Sequence, residues 1–558
     1  MKPDIRWQLL LAVAGFGLIL ALLSYQVQSA GLCTVRVAAS GGAFAEGMVG
    51  APQYINPLLA DENPVDRELS KMIFDGLTRY EEGILLPALA ERWEISEDGR
   101  IVRFYLREDV SWQDGQPFTV DDVAFTYGLL QDDAFPGSPA LKQLWRSVII
   151  RPIDANTIEF ELTEPYAGFL EATTRGILPA HQLKDVTAET LTESSFNQQP
   201  IGTGPFMVEP DQDWQASRML SLKLVPGILQ NGGRVDNVLF RFYPSEAELL
   251  EAFEIGEIQA INSVSPAMLP EVARSPDARL FSATSPRYSS LLFNLTESGS
   301  TAVQSVDVRR ALAYGLDQAA LVDNSLNGQG VLQIGPYLPT SWAYNPNAVT
   351  IYASQPISAT TGLESAGWIL PDGETMRRFE ERPMVLRFLV YDTPTNRAVA
   401  ESIEEQWAAL GVAPQLNLFS DWRDYRQMLD SREFDVALVD VTPPGDPDLY
   451  DFWSQEAIIH GQNYAGWNRR RASEALEEGR RIWAIEERRP FYDTFLRYYS
   501  EDLPELTLFQ HVYTYAVDAG VEGVEIGQIN HPRDRYASMA DWILLYRDVT
   551  VACPEDQA

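Results

Sequence analysis

Lysine is nearly missing from this chain. Only Lys2, Lys71, Lys142, Lys184 and Lys223 occur in 558 residues, and arginine supplies the rest of the 43 basic side chains. Against 79 acidic residues this leaves a formal net charge of -36 at pH 7. Such a charge argues against nucleic acid or an anionic membrane surface as the main partner; it reads as a solvated acidic exterior. Cysteine is as scarce, with Cys33 and Cys553 alone, no C-x-x-C and no metal-ligand spacing. The four histidines, His181, His460, His511 and His531, are scattered, and no two are spaced to share a metal on one helix. There is no G-x-S-x-G elbow and no Gly-Lys pair. Gly202-Thr203-Gly204 runs into the strand-like Phe206, Met207 and Val208 instead of a helix, so it is no nucleotide loop. Repeats and low-complexity tracts are absent too. These absences disfavour an enzyme, and neither a metal nor a cofactor is expected.

What is present supports real cores. Hydrophobic residues make up 45% of the chain, with 13 Trp, 23 Tyr and 24 Phe. The length implies two or three packed units. Lys2 and Arg6 precede an uncharged run whose apolar centre is Leu9 to Leu23, 15 residues. That length suits a signal-peptide core and is short for a spanning helix. Residues 1–33 are therefore expected to be a signal peptide or an N-terminal membrane anchor, and the chain to be exported, periplasmic or cell-surface. In an oxidising compartment Cys33 and Cys553 are free to form a disulfide tying the termini together. The other reading is lipid attachment at Cys33, which Leu32 disfavours because lipoprotein signals place a small residue there.

The most informative stretch is residues 86–127. Val102, Phe104 and Leu106 alternate with Ile101, Arg103, Tyr105 and Arg107, which predicts a half-buried strand. Asp98-Gly99 joins it to the preceding Trp93-Glu94-Ile95 as a β-hairpin. Trp112, the turn Asp114-Gly115-Gln116-Pro117 and a helix capped by Thr119 follow. Further on, Ile149 to Glu161 predicts a second hairpin around Asp154-Ala155-Asn156. The β-prone Ser285 to Thr296 and the later Leu503 to Val517 read as two crossings between lobes. Met384 to Phe419 reads strand, helix, strand. The near-continuous apolar run Phe434 to Val441 predicts a central strand with helices on both faces.

Pro87-Ala88-Leu89-Ala90, Trp93, Asp98-Gly99, Leu106-Arg107, Trp112, Asp114-Gly115, Pro117-Phe118-Thr119 and Asp122-Val123 stand in register with a signature. It resembles that of the bacterial extracellular solute-binding proteins of family 5, the oligopeptide-, dipeptide- and nickel-binding receptors of ABC importers. Asn56-Pro57-Leu58-Leu59-Ala60 and Asp75-Gly76-Leu77 extend the likeness, as does the glycine turn at Gly202, where glycine is expected to permit unusual backbone angles.

The resemblance implies an α/β (mixed α+β) bilobal periplasmic-binding-protein-like fold, class II or cluster C. It places lobe one at residues 34–76, 205–290 and 510–558, an inserted subdomain at 77–204, and lobe two at 291–509. It further implies a monomer that captures a peptide-like solute and delivers it to an ABC permease and ATPase. An oligosaccharide or other solute, or an anchored sensory receptor, is the alternative. Tyr54, Tyr288, Trp342, Asp446, Asn463 and Trp467 lie on segments similar to the family's cleft-facing loops. In peptide-binding members a carboxylate near the Gly445-Asp446-Pro447-Asp448 stretch pairs with the ligand's ammonium. The aligned position, three residues before Asp446, is Pro443 here.

Overall fold

The computed structural model describes residues 13–22, 32–39, 41–81, 84–137, 139–225, 235–529 and 532–552. Its hairpin forms where the alternation predicts it: strand Ala90–Ile95 pairs antiparallel with Ile101–Leu106, and Thr157–Glu161 and Ile149–Pro152 complete a four-stranded sheet. Val102, Phe104 and Leu106 are buried. Helix Val120–Gln131 starts in a capping box between Thr119 and Asp122. The same Asp122 carboxylate accepts Trp112 Nε1–H at 3.3 Å and the Ala180 N–H at 2.8 Å. The signature residues thus interlock as structure.

Gly202 has a reason other than the expected one. Neither it nor Gly204 has a positive φ. A Cβ at Gly202 would lie 1.8 Å from the Ile73 carbonyl oxygen, so glycine is required for room.

One eleven-stranded sheet runs through both lobes. On one side Ala413–Phe419, Val385–Tyr391 and Val436–Val441 are parallel. Leu386, Phe388, Val390, Val436 and Leu438 pack on helix Pro394–Ala408, while Leu389, Ala437 and Val439 face helices Trp422–Ser431 and Ile485–Asp502. That two-sided burial explains the unbroken apolar run in Val436–Val441. On the other side Ala260–Ile261, Ala43–Val49 and Asn237–Tyr243 are parallel. Between the two sets lie the long antiparallel strands Ala278–Phe293 and Glu505–Asp518. The architecture is therefore α/β and bilobal. Phe104 and Val123 of the four-stranded unit share one apolar cluster with Phe44 and Phe240 of the adjoining lobe.

A buried charge network closes that lobe. Arg535, with no exposed side-chain surface, is ion-paired to Glu46 and Glu68. Tyr515 and Tyr536 each donate to Glu46 at 2.7 Å.

A strand from each end of the chain pairs with the other as well: Leu32–Ala39 runs antiparallel to Leu545–Ala552, placing Cys33 opposite Val551. Cys553 lies outside the described residues, and so does most of the N-terminal segment. The helix over 13–22 exposes Val13, Phe16, Leu18 and Ile19. No helix among the described residues is long and apolar enough to cross a membrane.

Candidate functional site

Strand direction locates the site. In open α/β sheets a ligand lies beyond the carboxyl ends of the parallel strands. Strand Val436–Val441 runs antiparallel to the first crossing, with Val436 opposite Phe293 and Val441 opposite Tyr288, so it ends at the middle of that crossing. On the other side Ala260 pairs with Val517 and Ile261 with Ala516, so this strand also heads toward the middle of the return crossing. Both parallel sets point their carboxyl ends at one place, the junction of the lobes.

A β-bulge marks that place. Pairing is regular from Ala278–Asp518 to Thr284–Val512 and resumes at Tyr288–Gln510. Ser285, Pro286 and Arg287 thus stand opposite His511 alone. Proline is tolerated here because no ladder donor is needed, and such bulges re-aim side chains. Gln510 Nε2–H donates to the freed Ser285 carbonyl at 2.9 Å.

The side chains at the bulge form a chain of hydrogen bonds. Arg287 Nη2 donates to His511 Nδ1 at 3.2 Å. A guanidinium can only donate, so Nδ1 accepts and Nε2 carries the proton. From there His511 reaches Asp440 Oδ1 at 3.1 Å, and Ser289 Oγ–H donates to the same oxygen at 2.5 Å. Burial pushes the His511 pKa down, against the raising pull of Asp440, and the Arg287 charge lowers it further. Burial alone would raise the Asp440 carboxyl; the bonds from His511 and Ser289 and the charge of Arg287 instead hold it well below its ordinary range. Nearby, Trp422 is 53% exposed and packs edge-on against Tyr391 at 5.4 Å, the last residue of a parallel strand.

A second junction lies between the four-stranded unit and lobe two. The Glu171 carboxylate accepts the Gly445 N–H at 2.9 Å and the Asp446 N–H at 2.8 Å. Burial raises the Glu171 pKa to about 7 despite these two donors. Arg480 stacks on Tyr166 and Tyr450 and pairs with Asp448 at 3.0 Å. Trp483 Nε1–H donates to the Gly99 carbonyl at 3.1 Å.

The six residues singled out from sequence do not form one cluster. Asp446 is held by Arg488 through two 2.6 Å bonds, and Trp342 caps that guanidinium with its ring centre 5.0 Å away. Asn463 and Trp467 are 1% and 3% exposed, leaving a solute no face to touch. The Asn463 side chain serves the local loop, accepting the Trp467 N–H at 3.0 Å, while Trp467 Nε1–H donates to Asp502 at 2.9 Å. Tyr288 is buried beside Arg287, and half-buried Tyr54 is fixed by its N–H to Asp66 at 2.9 Å. Arg287, His511, Asp440, Glu171 and Trp422 were missed. The one local signal was Pro286, a proline inside a β-prone run. Among the described residues no three His, Cys, Asp or Glu side chains are grouped to hold a metal.

Comparison with known proteins agrees with this fold. Residues 85–457 match the family profile described as bacterial extracellular solute-binding proteins, family 5 Middle. The chain is 26% identical over 452 residues to the dipeptide-binding protein of Escherichia coli (strain K12), covering 75% of this chain and 80% of that protein. The structure of the oligopeptide-binding protein AppA from Bacillus subtilis in complex with a nonapeptide superposes with a TM-score of 0.72 at 20% identity, over 91% of this chain and 100% of that one. NikZ from Campylobacter jejuni in complex with Ni(L-His) gives 0.73 at 23% identity, over 90% and 99%.

Proposed function

Because the chain belongs to the bacterial extracellular solute-binding proteins, family 5, we propose that it is the extracytoplasmic receptor of an ABC importer, closing two lobes on a dipeptide- or oligopeptide-like solute and presenting it to a membrane permease with its ATPase. The observation that carries this reading is the convergence of both sets of parallel strands on the crossing strands, which puts a ligand in touch with both lobes at once. Ligand then stabilises the closed arrangement, because only there does it contact both sides. The name of the Escherichia coli relative supports the peptide class.

The protein acts by binding and leaves its solute unchanged. Ser289, His511 and Asp440 do not make a nucleophilic triad. A triad base uses one ring nitrogen for the serine and the other for the carboxylate. Here Ser289 Oγ, 2.8 Å away, and Asp440 both meet Nε2, Nδ1 is taken by Arg287, and Ser289 is 1% exposed. We also propose the domain boundaries given above, a monomer, export directed by residues 1–33, and a Cys33–Cys553 disulfide. Cys33 stands opposite Val551, two residues before Cys553, which supports that pairing.

Calorimetry and small-angle scattering with a dipeptide and tripeptide library test the receptor reading. Saturable binding with compaction and intact recovery of the peptide is expected. Cleaved peptide, or no compaction with any library member, would contradict it.

A further inference from the structure

The acidic loop of lobe two is filled from within, whereas Arg287 on the crossing and Arg67 beside it make no direct ion pair among the described residues. Asp446 spends both carboxylate oxygens on Arg488, whose guanidinium also donates to Tyr492 at 2.7 Å. Pro443 offers no carboxylate, and Asp448 pairs with Arg480. Nothing acidic in this loop remains free for a solute's ammonium group.

Arg287 is the reverse case. It is exposed, and its guanidinium has a neutral partner, His511, with no ion-pair partner among the described residues. The nearby Asp440 carboxylate, which feels the Arg287 charge, is linked to it only through His511 and also receives Ser289. Arg67, on helix Pro64–Ile73 of lobe one, has a surface-reaching side chain that donates to the Asp61 carbonyl and makes no ion pair among the described residues. The Asp61 carboxylate is committed to Arg175 through bonds of 3.1 and 3.0 Å. Arg67 and Arg287 are near enough that the second charge helps depress the pKa of the first, after burial and against Asp61.

We propose that the cleft selects its solute by a carboxylate group, which Arg287 grips from the crossing, with Arg67 of the same lobe adding positive charge beside it. This rests on the receptor reading above and names the part of the solute that decides recognition. A guanidinium presents a planar fork of donors that matches a carboxylate. The bulge aims Arg287, and His511, tied to Asp440 on the neighbouring strand, holds it before the solute arrives, so little side-chain ordering is left to the binding step. Two like charges near one another repel, and an anion bound beside them relieves that repulsion. In a chain of net charge -36 this attraction is local, because salt screens the acidic exterior beyond about 10 Å.

Calorimetry on the full protein compares tripeptides with a free C-terminal carboxylate, the same peptides as C-terminal amides, the same peptides N-acetylated, and the non-peptide acids citrate, glutarate and glucuronate. Amidation is expected to weaken binding about tenfold or more, and N-acetylation by less than about threefold. Arg287→Gln should erase the acid–amide difference, Arg287→Lys should keep part of it, and Arg67→Gln should reduce it. Tight binding of the non-peptide acids with weak binding of every peptide would support the carboxylate site and transfer its source from a peptide terminus to an organic acid. Amides binding as well as free acids, or an acid–amide difference that survives Arg287→Gln, would overturn the proposal while leaving the receptor reading intact. No binding in any arm, with no compaction in scattering, would overturn both.

Discussion

Arg488 and Arg287 both stand near the junction of the lobes, and they have opposite surroundings. Arg488 is 2% exposed at its side chain, doubly bonded to Asp446 and flanked by the rings of Trp342 and Tyr492. Its positive charge is cancelled within the fold. Arg287 projects from a bulge with a neutral imidazole as its partner and an exposed side chain. A charge paired directly within the fold holds structure together; a charge that meets its nearest carboxylate only through an imidazole keeps donors available to a ligand. The same contrast separates the two carboxylates. Asp446 is consumed by its arginine, whereas Glu171 accepts only backbone N–H groups across the junction and is strained toward protonation by burial.

Variants separate these roles, and the largest effect is expected at the cancelled pair. Arg488→Met removes the partner of a mostly buried carboxylate and should cost about 3–5 kcal/mol of stability, read from chemical denaturation. A loss under about 1 kcal/mol would mean that the pair is solvated in solution. Arg287→Gln, by contrast, should move stability by no more than about 0.5 kcal/mol while weakening solute binding.

An intermediate effect is expected at His511→Ala. It removes the acceptor that holds Arg287 and the donor to Asp440, so stability should fall by about 1–2 kcal/mol. Solute affinity should fall less than in Arg287→Gln. Affinity lost equally in both would make His511 a direct contact instead of a support.

The smallest effect concerns pH and Glu171. Its pKa rises from an ordinary 4.5 to about 7 when the junction is closed, so the closed state binds the proton more tightly than the open one. The contact is then favoured fully below about pH 4.5 and loses that support as pH rises through 7. Fluorescence transfer between dyes on the two lobes should report more closure at pH 5.5 than at pH 8, and Glu171→Gln should flatten that slope. An unchanged slope in the variant would assign the effect to other groups, such as Asp448, which burial raises to about 6.

Much of the architecture was legible in the chain because its signals are local. The hairpin of Ala90–Ile95 with Ile101–Leu106, the Thr119 cap and the buried strand Val436–Val441 each show their periodicity within a few residues. Both crossing strands were visible as β-prone runs, but the bulge that aims Arg287 was not, since it depends on register against His511 across 224 positions. Asp446 looked available because Arg488, 42 residues later, is brought beside it only by the fold. Asn463 and Trp467 sit on a loop by sequence, yet that loop is packed under the aromatic cluster of lobe two. Gly202 was assigned to backbone freedom, while its actual constraint is the Ile73 carbonyl, a contact between distant segments.

The most direct measurement is an experimental structure of the protein with a bound free-acid tripeptide. The account predicts the peptide at the crossing, its carboxylate about 3 Å from the Arg287 guanidinium, and the Asp446–Arg488 pair unbroken. A peptide whose ammonium group lies on Asp446 with Arg488 displaced, or one seated away from the crossing strands, would contradict it.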